Sequence, residues 1–272
     1  MLRRARPVLL TLLLVSGGVA AAADVPARDV AAGADFSGAD LQGANLAGRN
    51  LEGILLVGAN LSGANLEKAV LRGADLREAY LRETNAKGAD FTGAKLGGSD
   101  LTRIDLANAR LDNADLARAR LDAANAPNAS FAGALLPGAS LVKANLEGAN
   151  LKAAYLPDAD LTQARLAGAS LQGSDLGARS LGYDGPTAAR LRGADLTNAN
   201  LAGAFLRSVD LREARLERAT LTGTNLSHAD LSWAEAEGAD FSGARMTWLR
   251  AYAANLRKVQ LSTFCYWLSL LH

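Results

Sequence analysis

The sequence predicts a solenoid, a chain wound into a tube around a solid apolar interior, and three observations carry that expectation. From Phe36 to Phe241 a leucine or phenylalanine stands at 38 of the 42 positions spaced by five, with only Ala86, Ala126, Pro186 and Ala236 breaking the beat. The residue two before the beat is alanine in 32 of those 42 cases and the residue between is often Asp or Asn, so the unit reads Ala-(Asp/Asn)-Leu-x-(Gly/x). Finally, a period of five suits neither regular element. In an α-helix positions five apart are rotated by roughly 140°, which would scatter the leucines around the cylinder. In a flat strand the side-chain period is two, so successive beats would face opposite sides. What remains is a chain that turns a corner in each repeat and points its Leu and Ala to a common interior. Glycines such as Gly38, Gly43 and Gly48 sit where those corners need a positive φ or a tight bend.

The units Ala39-Asp40-Leu41, Ala59-Asn60-Leu61, Ala74-Asp75-Leu76 and Ala194-Asp195-Leu196 carry a resemblance. They are similar to the pentapeptide repeat, in dozens of in-phase copies covering about four fifths of the chain. The resemblance implies an all-β fold, a right-handed quadrilateral β-helix with four pentapeptides per coil, hence about ten coils of twenty residues with a C-terminal cap. Twenty is also legible independently. One file of positions twenty apart reads Asn45, Asn65, Asn85, Asp105, Asn125 and Asn145, and amides stacked at strand spacing can hydrogen-bond up a tube. Leu135-Leu136-Pro137 and Tyr155-Leu156-Pro157 are likewise twenty apart.

The breaks in the beat point to close packing. Ala86, Ala126 and Ala236 are each followed at the next beat by Phe91, Phe131 and Phe241. A ring filling what a small neighbour vacates is what a dense core requires. Pro186 belongs to a different kind of break. Across Leu181-Gly182-Tyr183-Asp184-Gly185-Pro186-Thr187 the pattern lapses and resumes in phase at Leu191, as a ten-residue outward loop would allow.

The expected organisation is a signal peptide over 1–23, a lead-in over 24–33, the β-helix over 34–243 with an irregular loop near 181–190, and a degenerate repeat with an aromatic C-terminal cap over 244–272. Arg3, Arg4 and Arg6, an apolar run from Pro7 to Val15 and small residues at Ala20–Ala23 compose the leader. They predict a periplasmic or secreted protein. No stretch of the mature chain is long enough for a membrane span. Past Phe241 the frame decays while Trp248, Tyr252, Phe264, Tyr266 and Trp267 crowd in. That stretch reads either as a last coil and cap or as a helix that covers the end or pairs with a second molecule in a homodimer.

Chemistry is sparse. The histidines are His228 and His272, and Cys265 is the single cysteine, a buried thiol or a link between chains. Zinc sites and catalytic triads need more than this. The carboxylates share their place in the unit with Asn, which suits turn and wall hydrogen bonds rather than acid–base catalysis. No enzyme and no cofactor are expected. Without the leader, 26 basic and 28 acidic residues remain. Proteins with this repeat that mimic DNA and bind type II topoisomerases need a strongly acidic rod, so that alternative is disfavoured here. Direct nucleic-acid binding is not expected either, since Arg72, Arg77, Arg82 and Lys87 alternate with Glu78 and Glu83. Carbohydrate processing would need paired acids in an aromatic cleft. The expected role is an exported scaffold or protein-interaction module, with an unknown protein or an envelope polymer as partner. If the residue before each beat faces outward, Leu135, Pro137, Tyr155 and Pro157 form the best candidate interface, while Tyr80 and Phe205 stand alone on other faces.

Overall fold

The structure, a computed structural model, describes residues 33–178 and 187–262. Within them the chain repeats one path, a single bridged residue followed by a tight turn, and contains no helix. Parallel bridges join each residue before the beat to its equivalent twenty positions on, from Asp35↔Leu55 to Tyr155↔Asp175. Four such residues complete a circuit, so the tube has four walls, each one bridged residue wide per coil. The first wall stacks eleven residues from Asp35 to Arg245, which at about 4.8 Å per layer makes a rod about 50 Å long.

Hydrogen bonding explains the composition of the unit. In the repeat Ala59-Asn60-Leu61-Ser62-Gly63 every backbone N–H is satisfied. Ala59 closes the turn onto the Leu56 carbonyl at 3.0 Å, Asn60 donates down the tube to Ala39 at 2.9 Å, and Leu61 and Gly63 donate up it to Tyr80 at 2.7 Å and Arg82 at 2.8 Å. The one N–H that no carbonyl takes is that of Ser62, and it donates to Asn60 Oδ1 at 3.1 Å. An Asp or Asn before the Leu therefore completes the backbone's requirements, which is why the unit selects it. The same residues form the expected amide ladder. Asn65 Nδ2 donates to Asn45 Oδ1 at 3.3 Å and Asn85 Nδ2 to Asn65 Oδ1 at 3.2 Å. Asp105 lacks an amide to pass the ladder on, so it restarts there with Asn125 and Asn145.

Outside the insertion, every described turn from Gly33 to Lys258 places its third residue at positive φ, as a type II turn does. The structure departs from the sequence reading in how often glycine fills that place. Non-glycine residues hold 22 of these corners, including Ala123 at 53° and Trp233 at 65°. The ladder above and below fixes the corner, so L-residues accept a conformation that costs roughly 1–2 kcal/mol when isolated.

Inside, the beat residues and the alanines fill the lumen. Leu56 through Leu81, Phe91 and Phe131 are fully buried, as are the compensating Ala86 and Ala126. Where Ser or Thr replaces the alanine, the buried hydroxyl donates to a turn carbonyl, as Ser99 does to Leu96 at 2.6 Å and Thr224 to Leu221 at 2.8 Å. No buried donor is stranded by those replacements.

The register changes once. Asp160↔Arg190, Arg165↔Asp195, Ser170↔Asn200 and Asp175↔Phe205 span thirty residues, and twenty returns at Arg190↔Asp210. The extra ten residues open one corner. Ala178 N donates upward to Arg207 O at 3.0 Å, while Asp158 N, one coil lower, donates to Thr187 O at 3.0 Å. Ala189 then takes the alanine's place, donating to Leu176 O at 2.8 Å. Among the described residues the core beat thus passes from Leu176 to Leu191, and the wall has resumed by Ala189 and Arg190. Residues 179–186 lie outside the described residues, among them Leu181, which keeps the beat, and Pro186, which breaks it.

At the far end the winding continues beyond Phe241. Asn225↔Arg245, Asp230↔Arg250, Glu235↔Asn255 and Asp240↔Gln260 make residues 243–262 a further coil.

Candidate interaction surface

Most polar side chains on the walls are engaged in holding the tube. Arg77 makes a two-pronged contact with Asp75, its Nε and Nη2 at 2.8 and 2.7 Å from the two carboxylate oxygens. Arg212 grips Asp210 in the same way at 2.8 and 2.6 Å. These arginine hydrogen bonds, against a smaller opposing effect of burial, hold both carboxyls below the ordinary aspartate range. Burial would raise Asp90, but hydrogen bonds from Thr92 and Arg72 outweigh it and lower that carboxyl too. Among the described residues no three of His, Cys, Asp and Glu converge as metal ligands would.

Against this polar surface one wall carries an apolar ridge. Leu135 and Tyr155 are bridged neighbours, Asp175 follows, and Phe205 comes next because the thirty-residue coil has carried it round. Counting by twenties puts Phe205 on another face. The insertion places it on the ridge, and the sequence expectation for this residue is corrected. Leu135 is 46% exposed and Phe205 55%, with Tyr155 half-buried between them. Tyr80 stands on a separate wall between Asn60 and Asp100.

The prolines of the expected patch border this ridge at its corner. Pro137 and Pro157 occupy the second position of their turns, where φ near −65° is required, and Pro137 is followed by the left-handed Gly138. Pro137 is half-buried and Pro157 buried, so turn geometry accounts for both and the exposed apolar surface is that of Leu135, Tyr155 and Phe205. One coil above Pro157 the same corner opens into the ten-residue insertion, whose roots are Ala178 and Thr187. Thr187 is tied to Asp158 by its backbone N–H at 2.7 Å and by its hydroxyl. The patch and the roots of the insertion, separate features in the sequence, are side by side in the structure.

Higher on that corner His228 stacks on Trp248, ring centroids 6.4 Å apart. They line a cleft of about 470 Å³ with Leu249 and Arg250. Round the next corner Trp233 meets Tyr252 edge-on at 5.2 Å. Trp248 and Tyr252 are 66% and 64% exposed. Phe264, Cys265, Tyr266 and Trp267 lie outside the described residues.

The family model described as Pentapeptide repeats matches the chain in eight overlapping copies between residues 34 and 263, stopping at 177 and resuming at 189, on either side of the insertion. The chain belongs to the pentapeptide repeat family. Its right-handed quadrilateral β-helix is the architecture of that family. Solved structures similar to this pentapeptide repeat protein include HetL, a pentapeptide repeat protein involved in heterocyst differentiation regulation in the cyanobacterium Nostoc. It is 31% identical, with 83% of this chain and 88% of HetL covered and a TM-score of 0.43. QnrB1, a plasmid-mediated fluoroquinolone resistance protein, is 18% identical over 75% of this chain and 90% of its own, with a TM-score of 0.39. A pentapeptide repeat protein of the Arabidopsis thaliana thylakoid lumen is 27% identical over 38% of this chain and 64% of its own, with a TM-score of 0.19. No curated protein matches the sequence at a significant level.

Proposed function

We propose that this pentapeptide repeat protein is an exported, non-enzymatic scaffold that docks another protein along the ridge of Leu135, Tyr155 and Phe205. The single observation that carries the reading is the gathering of those three side chains on one wall beside the roots of the insertion, by a register change that itself produces the juxtaposition. An apolar strip on a largely polar wall is the kind of surface that partners bury. Export rests on the basic and apolar leader of residues 1–23. The absence of catalysis rests on the occupation of the wall carboxylates, which cap turns and pair with arginines.

DNA mimicry finds little support in the same walls. Carboxylates alternate with arginines up the stack, as in Asp160↔Arg190↔Asp210 and Arg165↔Asp195↔Arg215, whereas a phosphate backbone presents one negative charge per about 1.7 Å.

The test is affinity capture from the envelope fraction with the chain of residues 24–272 and two variants. A partner retained by Tyr80→Ala and lost by Leu135→Ala/Tyr155→Ala/Phe205→Ala supports the ridge. An identical set of partners for all three proteins would falsify it.

A further inference from the structure

The two ends of the rod differ in charge and in what they expose. The first described coil, residues 33–52, carries Asp35, Asp40 and Glu52 against the single cation Arg49. The last, residues 243–262, carries Arg245, Arg250, Arg257 and Lys258 and no acid. Lys258 is paired with Glu237 of the coil below at 2.7 Å, whereas Arg245, Arg250 and Arg257 are exposed and make no ion pair among the described residues. Their bridges fix where they stand. Arg245 caps the first wall and Arg250 the second, and Arg257 lies in the turn between Asn255 and Gln260, which cap the other two.

The aromatics alternate with them. Trp248 occupies the corner between Arg245 and Arg250, and Tyr252, with Trp233 against it, the corner between Arg250 and Asn255. Both corners are held by ladder bonds, His228 N to Thr247 O and Trp233 N to Tyr252 O, each 2.8 Å. Among the described residues the lumen is unsealed within this rim. Ala251, Leu256 and Val259 are only partly buried and Leu261 is 46% exposed, at places where inner coils are sealed.

An apolar centre ringed by tryptophan, tyrosine and unpaired arginine matches the chemistry of a bilayer's interfacial zone. Aromatic rings favour the headgroup level, and anionic headgroups attract each nearby Lys or Arg. We infer that the C-terminal end of the rod docks end-on against an anionic lipid surface, leaving the ridge free along the side. The inference stands on the rim alone and would survive failure of the ridge as an interface.

The probe is co-sedimentation of residues 24–272 with vesicles of phosphatidylcholine and phosphatidylglycerol, against phosphatidylcholine alone. All bridges, turns and core residues described lie within 33–262, so removing the leader leaves the tube entire and takes away an apolar segment that would bind lipid by itself. Binding is expected on the anionic vesicles only, weakening as salt rises. Each of Arg250→Gln and Arg257→Gln is expected to lower partitioning about fivefold, which corresponds to about 1 kcal/mol. Trp248→Ser is expected to lower it further, and circular dichroism of these exposed variants controls for folding. Equal binding to both vesicle types, binding indifferent to the arginine variants, or a chain that dimerises in solution and leaves the vesicles untouched would each overturn the inference.

Discussion

Exchange of volume between neighbouring beats can be tested at Ala126 and Phe131. Both are fully buried, and twenty residues earlier the same two columns hold Leu106 and Leu111, also fully buried. The lumen therefore accepts either a small and a large side chain or two of middle size. Ala126→Leu alone forces a larger group against Phe131 and is expected to cost about 1–3 kcal/mol as overpacking. Phe131→Leu alone leaves a void beside Ala126. Its cost should be about 1–2 kcal/mol, below the roughly 3–5 kcal/mol of truncation to Ala. The double variant Ala126→Leu/Phe131→Leu recreates the pair one coil below and should lie within about 1 kcal/mol of the parent, a coupling of the size expected for residues in contact. Urea denaturation followed by circular dichroism measures all four proteins. Simple addition of the two single costs would show that the ring does not occupy the space the alanine leaves, and the compensation argument would fail with it.

Three further outcomes follow from the walls and corners. Asn65→Ala removes an acceptor for Glu67 N–H and Asn85 Nδ2 and a donor to Asn45, so it should cost about 1–3 kcal/mol in the same assay, and an unchanged midpoint would count against the amide ladder. A Cβ at Gly177 would stand 3.0 Å from Arg207 N and 3.3 Å from Phe205 O. Gly177→Ala should therefore lower the melting temperature by several degrees, whereas Gly173→Ala, with open space around its Cβ, should show only the strain of its positive φ. The lowered aspartates, Asp75 and Asp210 among them, bind protons more weakly folded than unfolded. Their contribution is full above the unfolded value of about 3.9 and is lost as pH falls through the lower folded values. The melting temperature should stay level from about pH 7 to pH 5 and drop below about pH 4, and a flat profile to about pH 2 would contradict this.

The tube was legible because one rule, repeated, leaves a unique solution. A leucine every five residues excludes helix and strand together, and the Asn45–Asn145 file reveals the length of a coil without any structure. The need for Asp or Asn before Leu was visible as a preference. Its cause, the orphan N–H of the residue after the Leu, shows only once the ladder is drawn. Corners such as Ala123 and Trp233 were hidden because a left-handed conformation is imposed there by the coils above and below, which local sequence does not encode. The wall that Phe205 occupies is hidden in the sequence for a related reason. Ten residues preserve a five-residue beat but amount to half a coil, so the insertion keeps the phase of the core while turning all later residues by two walls.

That rotation is the step on which the ridge depends, and paired cysteines measure it directly. With Cys265 replaced by Ser, cysteines at 175 and 205 would occupy bridged positions on adjacent layers, about 4.8 Å apart and within the span of a disulfide. Cysteines at 175 and 195 would occupy different walls. The account predicts that mild oxidation links Asp175→Cys to Phe205→Cys and leaves the Asp175→Cys/Asp195→Cys protein reduced. A disulfide between 175 and 195, with none between 175 and 205, would mean an unbroken twenty-residue winding and would remove Phe205 from the ridge.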